Sequence, residues 1–276
     1  MCKFSDGDQA SAIRWFRKHF GISLSQDKKY LVETRLEPVA FKNGYNSVRD
    51  LLHELIESDQ IDSNLVKSVC SAITTHETSF FRDYHPFDFL SKSYFPKWIE
   101  SHEPNTPWSM WSAACSSGQE IYSIAMIIEE RFQSFKERCL TMEGTDISHY
   151  TLEKAISGEF NQAEVSRGLQ ANYLIKYFNQ LHNGNWRIKD EIRDMVHFDY
   201  HNLIGSWESR GSYDLIMLRN VLIYFDVDLK INVLNRLKHH LKPGGVLLLG
   251  GSETTANLDD EWKMYNDGNT VYYSMD

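Results

Sequence analysis

Cysteine is scarce and scattered in this chain of 276 residues. Cys2, Cys70, Cys115 and Cys139 form neither a C-x-x-C pair nor a disulfide-rich pattern. Free thiols in a reducing compartment are therefore expected, with no structural zinc or other metal site. Long apolar runs are also missing: the longest, such as 246–249, fall far short of a bilayer span. The opening residues MCKFSDGDQA place no apolar stretch behind a basic start, so a secretory leader is not expected and a cytoplasmic protein is. There is no excess of basic charge, since 29 Lys and Arg face 38 Asp and Glu for a net charge of −9. That balance excludes general nucleic-acid binding, which needs a basic footprint. No repeat or low-complexity segment occurs, nothing suggests membrane insertion, and nothing marks a stable oligomer, so a monomer is expected.

What remains is an ordinary globular composition, 42% hydrophobic and 24% charged, long enough for one large domain or a large and a small one. The charge is uneven. Residues 11–49 hold eight basic side chains, among them Arg14, Arg17, Lys18, Lys28, Lys29 and Arg35, against three acidic ones. Such a stretch is either a solvated helix face or a docking surface for an acidic partner.

Residues 8–70 read as wholly helical. Ile13, Phe16 and Phe20 beside Trp15 give a first helix an apolar face closed by Gly21, and Tyr30, Leu31, Leu36, Val39 and Phe41 suggest a second helix. Ser47 is placed to cap a third helix, and residues 63–73 make a fourth. The stretch TTHETSFFRD (74–83) then sets hydroxyls, a histidine, a carboxylate and an arginine beside two phenylalanines. It reads either as a capped helix start with Phe80 and Phe81 in the core or as site chemistry. Residues 84–100 follow as a helix with an aromatic face.

From Pro107 onward strands and helices alternate, the pattern of a doubly wound parallel sheet. The stretch WSMWSAACSSGQEIYSIAM (108–126) passes from an apolar run through small residues into a helical pattern with Ile121, Ile124, Ala125 and Ile128. This strand, turn and helix start is the layout that brings backbone close to a ligand. Only Gly118 occupies the turn, so the dinucleotide fingerprint G-x-G-x-x-G is not met and an NAD-dependent oxidoreductase is disfavoured. A second strand within LTMEGTDIS (140–148) ends near Asp146, where an acid either accepts from ribose hydroxyls or caps the next helix. Residues 173–178 and 186–192 flank the turn LHNGN and predict an antiparallel hairpin, followed by a short strand at 195–199. SYDLIMLRN (212–220) is an apolar strand ending in Arg219 and Asn220, and LKPGG predicts a tight turn into a strand at 246–250, with a last strand at 270–274.

Taken in order, TTHETSFFRD, AACSSGQEIYSIAM, GTDIS, LRNVLIYFD and LKPGGVLLLGGSE resemble the class I S-adenosylmethionine-dependent methyltransferases. More narrowly they resemble the CheR-type chemotaxis receptor methyltransferases, which methylate glutamate side chains of bacterial chemoreceptors. The resemblance implies an α/β fold with a Rossmann-like, mostly parallel sheet, an all-helical domain over 1–73 and a linker with a first helix over 74–106. The methyltransferase domain would span 107–276, with an inserted antiparallel hairpin at about 172–199. It also implies S-adenosylmethionine as cofactor, S-adenosylhomocysteine as product and receptor methylation helices as partners. His76, Thr78 and Arg82 would line the cofactor, Glu120 would meet its ammonium group and Asp146 its ribose. Asn202 and Leu203 would border the adenine, with Arg219 and Asn220 closing the pocket, while Arg82 and Tyr224 would stand next to the transferred methyl group.

Some positions depart from the family pattern. His76 stands where asparagine is usual, and Gln119 and Ile121 replace a glutamate and a proline. The turn after Tyr177-Phe178 is shorter and poorer in glycine than in members that grip a receptor-tail pentapeptide, so independence from such a tether is expected. Two other readings of the same fold are a methyltransferase for a small-molecule carboxylate and a non-catalytic module that binds the cofactor.

Overall fold

The computed structural model describes residues 6–24, 29–58, 60–136, 138 and 140–275; Cys2, Lys28 and Cys139 lie outside them. Four helices come first: α1 (Asp6–Phe20), α2 (Lys29–Lys42), α3 (Val48–Glu57) and α4 (Ser63–Ile73). Ser47 caps α3 by accepting from the Asp50 amide, and Asp62 caps α4 through the Asn64 amide. Their buried seam is Phe16, Phe20, Val32, Leu36, Ala40, Leu51, Leu55 and Val69. In α2 the inner face is the i, i+4, i+8 stripe Val32, Leu36 and Ala40, whereas Tyr30 and Phe41 are 69% and 55% exposed. Those two aromatics lie on the opposite side of the helix from that stripe.

The expected single helix at 84–100 is two, α5 (His85–Phe89) and α6 (Phe95–Ser101), joined by one π turn over Leu90–Tyr94. Pro96 supplies the reason. It has no N–H for the carbonyl four residues back and its ring crowds that carbonyl, so the chain widens and the Phe95 amide reaches Leu90 instead.

The larger part of the chain then alternates. In order come β1 (Trp108–Ala113), α7 (Gln119–Arg131), α8 (Gln133–Lys136), β2 (Leu140–Asp146), α9 (His149–Ser157), β3 (Glu159–Phe160), α10 (Gln162–Ser166) and α11 (Ala171–Tyr177). They are followed by β4 (Phe178–Gln180), β5 (Trp186–Ile188), α12 (Asp190–Arg193), β6 (His197–Tyr200), β7 (Tyr213–Leu218), α13 (Val227–Lys238), β8 (Leu241–Leu249), β9 (Lys263–Asp267) and β10 (Thr270–Ser274). The main sheet has the order β6-β2-β1-β7-β8-β10-β9. Its first five strands run parallel and β10 pairs antiparallel with both neighbours. The chain leaves β1 toward β2 on one side and returns through β7 on the other, so a crevice opens at the carboxyl ends of β1 and β7, the topological switch point where such sheets bind ligands.

The small antiparallel sheet β3-β5-β4 holds the expected hairpin, with a correction. Residues 171–177 are helical, with the tilted rings of Tyr173 and Tyr177 meeting at a four-residue spacing, and strand geometry begins only at Phe178. Ile192, expected on the hairpin, sits in α12. The LKPGG segment is part of β8: Leu241 pairs with Tyr213 and Val246 with Leu215, so the residues between bulge out opposite Asp214. Strand β9 went unread because its side chains are nearly all exposed and carry no apolar alternation.

The helical domain is seated on the sheet domain. Ile147, just past β2, packs into the helical core. Arg17 pairs with Asp226, the Ser23 amide donates to the Tyr224 carbonyl at 2.8 Å, and Asn202 Nδ2 donates to the His19 carbonyl at 2.8 Å. The small sheet packs on the segment before α5, where Phe80 meets Phe160 and Phe178 with ring centroids at 5.0 and 5.6 Å. Gly168 closes that contact at φ +88°, and a Cβ there would fall 2.0 Å from the Phe80 carbonyl oxygen. Gly168→Ala is therefore expected to cost more than the roughly 1–2 kcal/mol of a left-handed alanine, because backbone must also move. Gly184→Ala, at φ +83° with nothing within 4 Å, should cost only that amount; urea unfolding of the two variants checks the difference.

Candidate functional site

A cavity of about 330 Å³ opens at the switch point, with walls from both domains. Its floor is the turn after β1, where Ala114 (φ 60°), Ser116 (φ 52°) and Gly118 (φ 88°) are all left-handed. A Cβ on Gly118 would stand 3.0 Å from the Phe198 ring, so this glycine lets α7 begin close to the sheet. Between them Cys115 is buried, and burial raises its thiol pKa well above the ordinary value.

All of the residues expected from the sequence, His76, Thr78, Arg82, Glu120, Asp146, Asn202, Leu203, Arg219, Asn220 and Tyr224, line this one cavity. Asp146, 8% exposed, accepts from the Ser116 amide on one oxygen and from the Ser148 amide on the other, both at 2.8 Å. Burial pushes its carboxyl up, against the pull of those amides. The cap of α9 is Ser148, which accepts from the Thr151 amide, and Asp146 borders the cavity while holding the Ser148 amide.

Glu120, on the first turn of α7, accepts from Ser112 at 2.8 Å and from Arg219 Nη1 at 3.0 Å. Arg219 is almost wholly enclosed, and its Nη2 donates to Asp83 at 2.7 Å and to the Arg82 carbonyl at 3.2 Å. One guanidinium thus joins the ends of β7, the start of α7 and the segment before α5. That segment is strained. Phe81, Asp83 and Tyr84 have φ of 48°, 67° and 56°, and each such residue costs about 1–3 kcal/mol unless its surroundings enforce it. The enforcement is visible: Ser123 Oγ accepts from the Phe81 amide at 3.0 Å, and Arg219 grips Asp83. Arg82 itself donates to the Glu77 carbonyl at 2.9 Å, while the Glu77 carboxylate is held by Arg167.

Two expected ligand-facing groups spend their polar atoms within the protein. His76 Nε2 lies 2.8 Å from the Ser71 carbonyl and 3.1 Å from Thr74 Oγ1, and the Asn202 amide bridges to His19 and Ile204. Sequence reasoning missed several others. Glu253 takes the amides of Asn220, Val221 and Gly250 at 2.7–2.8 Å and so shapes the end of β7. Asp83 was passed over although it lies in a quoted motif. Phe20, Ile22, Leu24 and Leu31 supply an apolar wall from the helical domain, and in the sequence they look like ordinary core.

His201 also borders the cavity, wedged between Trp111 and Trp207 with ring centroids at 5.6 Å from each. It is 7% exposed and its Nε2 is buried without a partner. Burial, with Arg210 and Arg236 nearby, lowers its pKa to about 4. Between about pH 6.5 and that value the unfolded chain takes up a proton that the folded chain refuses. Stability should therefore fall as pH drops through this window, by at most about 1.4 kcal/mol per unit. His201→Leu should flatten that part of the profile, as read from urea unfolding at about pH 7 and about pH 5.

Comparison with known proteins agrees with this architecture. The all-alpha domain of CheR methyltransferases matches residues 10–74, and the CheR methyltransferase SAM-binding domain matches residues 76–271. The chemotaxis protein methyltransferase Cher2 of Pseudomonas putida is 39% identical over 254 residues, covering 91% of each chain. Chemotaxis protein methyltransferase 1 of Vibrio cholerae is 35% identical over 273 residues, covering 98% of each. The enzyme of the same name from Pseudomonas aeruginosa is 37% identical over 254 residues, covering 91% of each. A helical domain and a cofactor domain matched in that order, with relatives this similar along nine-tenths of the chain or more, make this protein a member of the CheR methyltransferase family, with S-adenosylmethionine as its cofactor.

Proposed function

We propose that this methyltransferase esterifies glutamate side chains on the methylation helices of chemoreceptors, forming glutamyl methyl esters and S-adenosylhomocysteine, and that it needs no receptor-tail tether. The observation that carries the proposal is the meeting of Arg82 and Tyr224 with two carboxylates, Glu120 and Asp146, in one cavity between the domains. The residues suit the cofactor. Glu120 offers an anion to an ammonium group, Asp146 offers acceptors at a strand end where ribose hydroxyls are held in such folds, and Leu203 with the helical-domain wall offers apolar surface to a flat base.

S-adenosylmethionine, when bound, supplies a methyl group activated on a sulfonium. A glutamate with a pKa of about 4.3 is already ionised at neutral pH, so the chain needs no general base. Its work is alignment, which contributes roughly 7–11 kcal/mol when the geometry is good. Arg82 steers the incoming carboxylate without gripping it fully, since its Nη1 is engaged by the Glu77 carbonyl and a tight pair would stabilise the ground state. Tyr224, tied through its carbonyl to Ser23, presents its ring from the seam between the domains.

Charge supports an acidic helical substrate, in reduced form. Of the basic stretch, Arg17 is committed to Asp226 and Arg35 to the carbonyls of Ile73 and Thr74 at the end of α4. Arg14 and Lys18 remain on the exposed face of α1. Tether independence rests on the size of the small sheet: β3 has two residues and β4 and β5 three each. Edges that short offer little main-chain bonding to an added peptide strand.

Receptor-bearing membranes incubated with the protein and methyl-labelled cofactor should gain label that alkali releases as methanol. Receptors with and without a tail pentapeptide should be labelled at rates within about twofold. Alkali-stable label would exclude the ester, and labelling confined to tailed receptors would exclude tether independence. In calorimetry Asp146→Ala should abolish S-adenosylhomocysteine binding and Asp146→Asn, which keeps one acceptor oxygen, should weaken it at least about tenfold.

A further inference from the structure

We infer that Asp83 is a positioning residue for methyl transfer: through Arg219 it locks the left-handed turn that presents Arg82 to the cavity. The inference rests on the role given above to Arg82.

The turn cannot hold itself. Phe81, Asp83 and Tyr84 all have positive φ, and none is glycine; Arg82 is the residue carried between them. Free to relax, such a turn would leave the left-handed region and carry the Arg82 side chain with it. The turn has bonds of its own, from the Tyr84 amide to the Phe81 carbonyl at 2.9 Å and from the His85 amide to the Asp83 carbonyl at 2.5 Å, and its remaining restraints come from outside. Ser123 on α7 takes the Phe81 amide, and Ser123 Oγ in turn donates to the Gln119 carbonyl at 2.6 Å, so this anchor is fixed to the helix. On the other side of Arg82 the anchor is the Asp83 carboxylate on Arg219 Nη2, the same nitrogen that holds the Arg82 carbonyl. Arg219 therefore grips the chain on both sides of the peptide that follows Arg82, and the Asp83 carboxylate is the charged half of that grip. The Asp83 side chain is 41% exposed whereas that of Arg219 is 2% exposed, so the pair ties a partly exposed residue to an enclosed one.

The same guanidinium reaches Glu120 through its other terminal nitrogen. With Asp83 removed, Arg219 keeps that carboxylate, and the cofactor side of the cavity stays charged and paired. The two halves of the site are separable on this basis. Loss of Asp83 should disturb Arg82 and leave the Glu120 side in place.

Asp83→Gly and Asp83→Asn distinguish positioning from general support. Glycine and asparagine both tolerate the left-handed backbone, so neither variant adds strain; glycine removes the anchor and asparagine retains an acceptor oxygen for Arg219. The expected results for Asp83→Gly are S-adenosylhomocysteine binding within about twofold of wild type, kcat for receptor methylation down at least about tenfold and KM for receptor within about threefold. Asp83→Asn should recover part of the lost kcat. Hydrogen exchange by mass spectrometry, which needs no receptor, should show faster exchange over residues 80–85 in Asp83→Gly and unchanged exchange in α9. Wild-type kcat in Asp83→Gly, or binding lost in step with kcat, or unaltered exchange over 80–85, would each overturn the inference. Should wild-type protein transfer no methyl group to receptors, the functional reading fails by itself, and the exchange result still decides whether Asp83 holds the turn.

Discussion

A single buried cation, Arg219, carries much of this architecture. Taking a guanidinium out of water costs several kcal/mol, and the protein offsets that by surrounding it with Glu120, Asp83 and the Arg82 carbonyl, over the Phe87 ring at 5.9 Å. Its partners lie 99 and 136 residues away in the sequence. The contacts therefore exist only where β7, the start of α7 and the segment before α5 are brought together by the fold. Once formed, they define where the end of the sheet stops and where the segment before α5 turns. The cavity owes its shape to this closure as much as to the β1 turn.

The helical domain completes the site instead of merely adjoining it. The end of its first helix and the residues just after it bring Phe20, Ile22 and Leu24 to the cavity wall, and its last helix ends at Ile73, where Arg35 from α2 takes the final carbonyls. His76 folds back on that same helix end. The residues that join the two domains are thus held at both ends, by α4 before them and by Arg219 after them. A histidine in place of the usual asparagine fits this setting, because its ring nitrogen is satisfied by Ser71 and Thr74 and does not depend on a ligand.

Features encoded locally were legible from residue order. The cap at Ser47, the Asn183-Gly184 turn, the single-glycine turn after β1 and the apolar strand ending in Arg219 all follow from a few neighbouring side chains. The mostly parallel sheet and the helical domain followed from their alternation and its absence. What failed had a common cause. The strand expected at 173–178 is helical up to Tyr177, where the Tyr173 and Tyr177 rings meet at helical spacing. Glu253 and Asp83 were overlooked because their importance lies in distant backbone amides and a distant guanidinium, which no local pattern reveals.

Cys115 sits at the centre of the turn that forms the cavity floor, where one would expect a sulfur to be a liability. Its enclosure keeps it a thiol: with the pKa raised well above its ordinary value by burial and by the charges of Asp146 and Glu120, almost none is ionised at physiological pH. Since oxidants and alkylating reagents attack the thiolate, the floor is chemically inert. Cys70, also buried and shifted to about 12, is silent for the same reason. Neither of the two cysteines that the structure describes is thus held as a reactive thiolate.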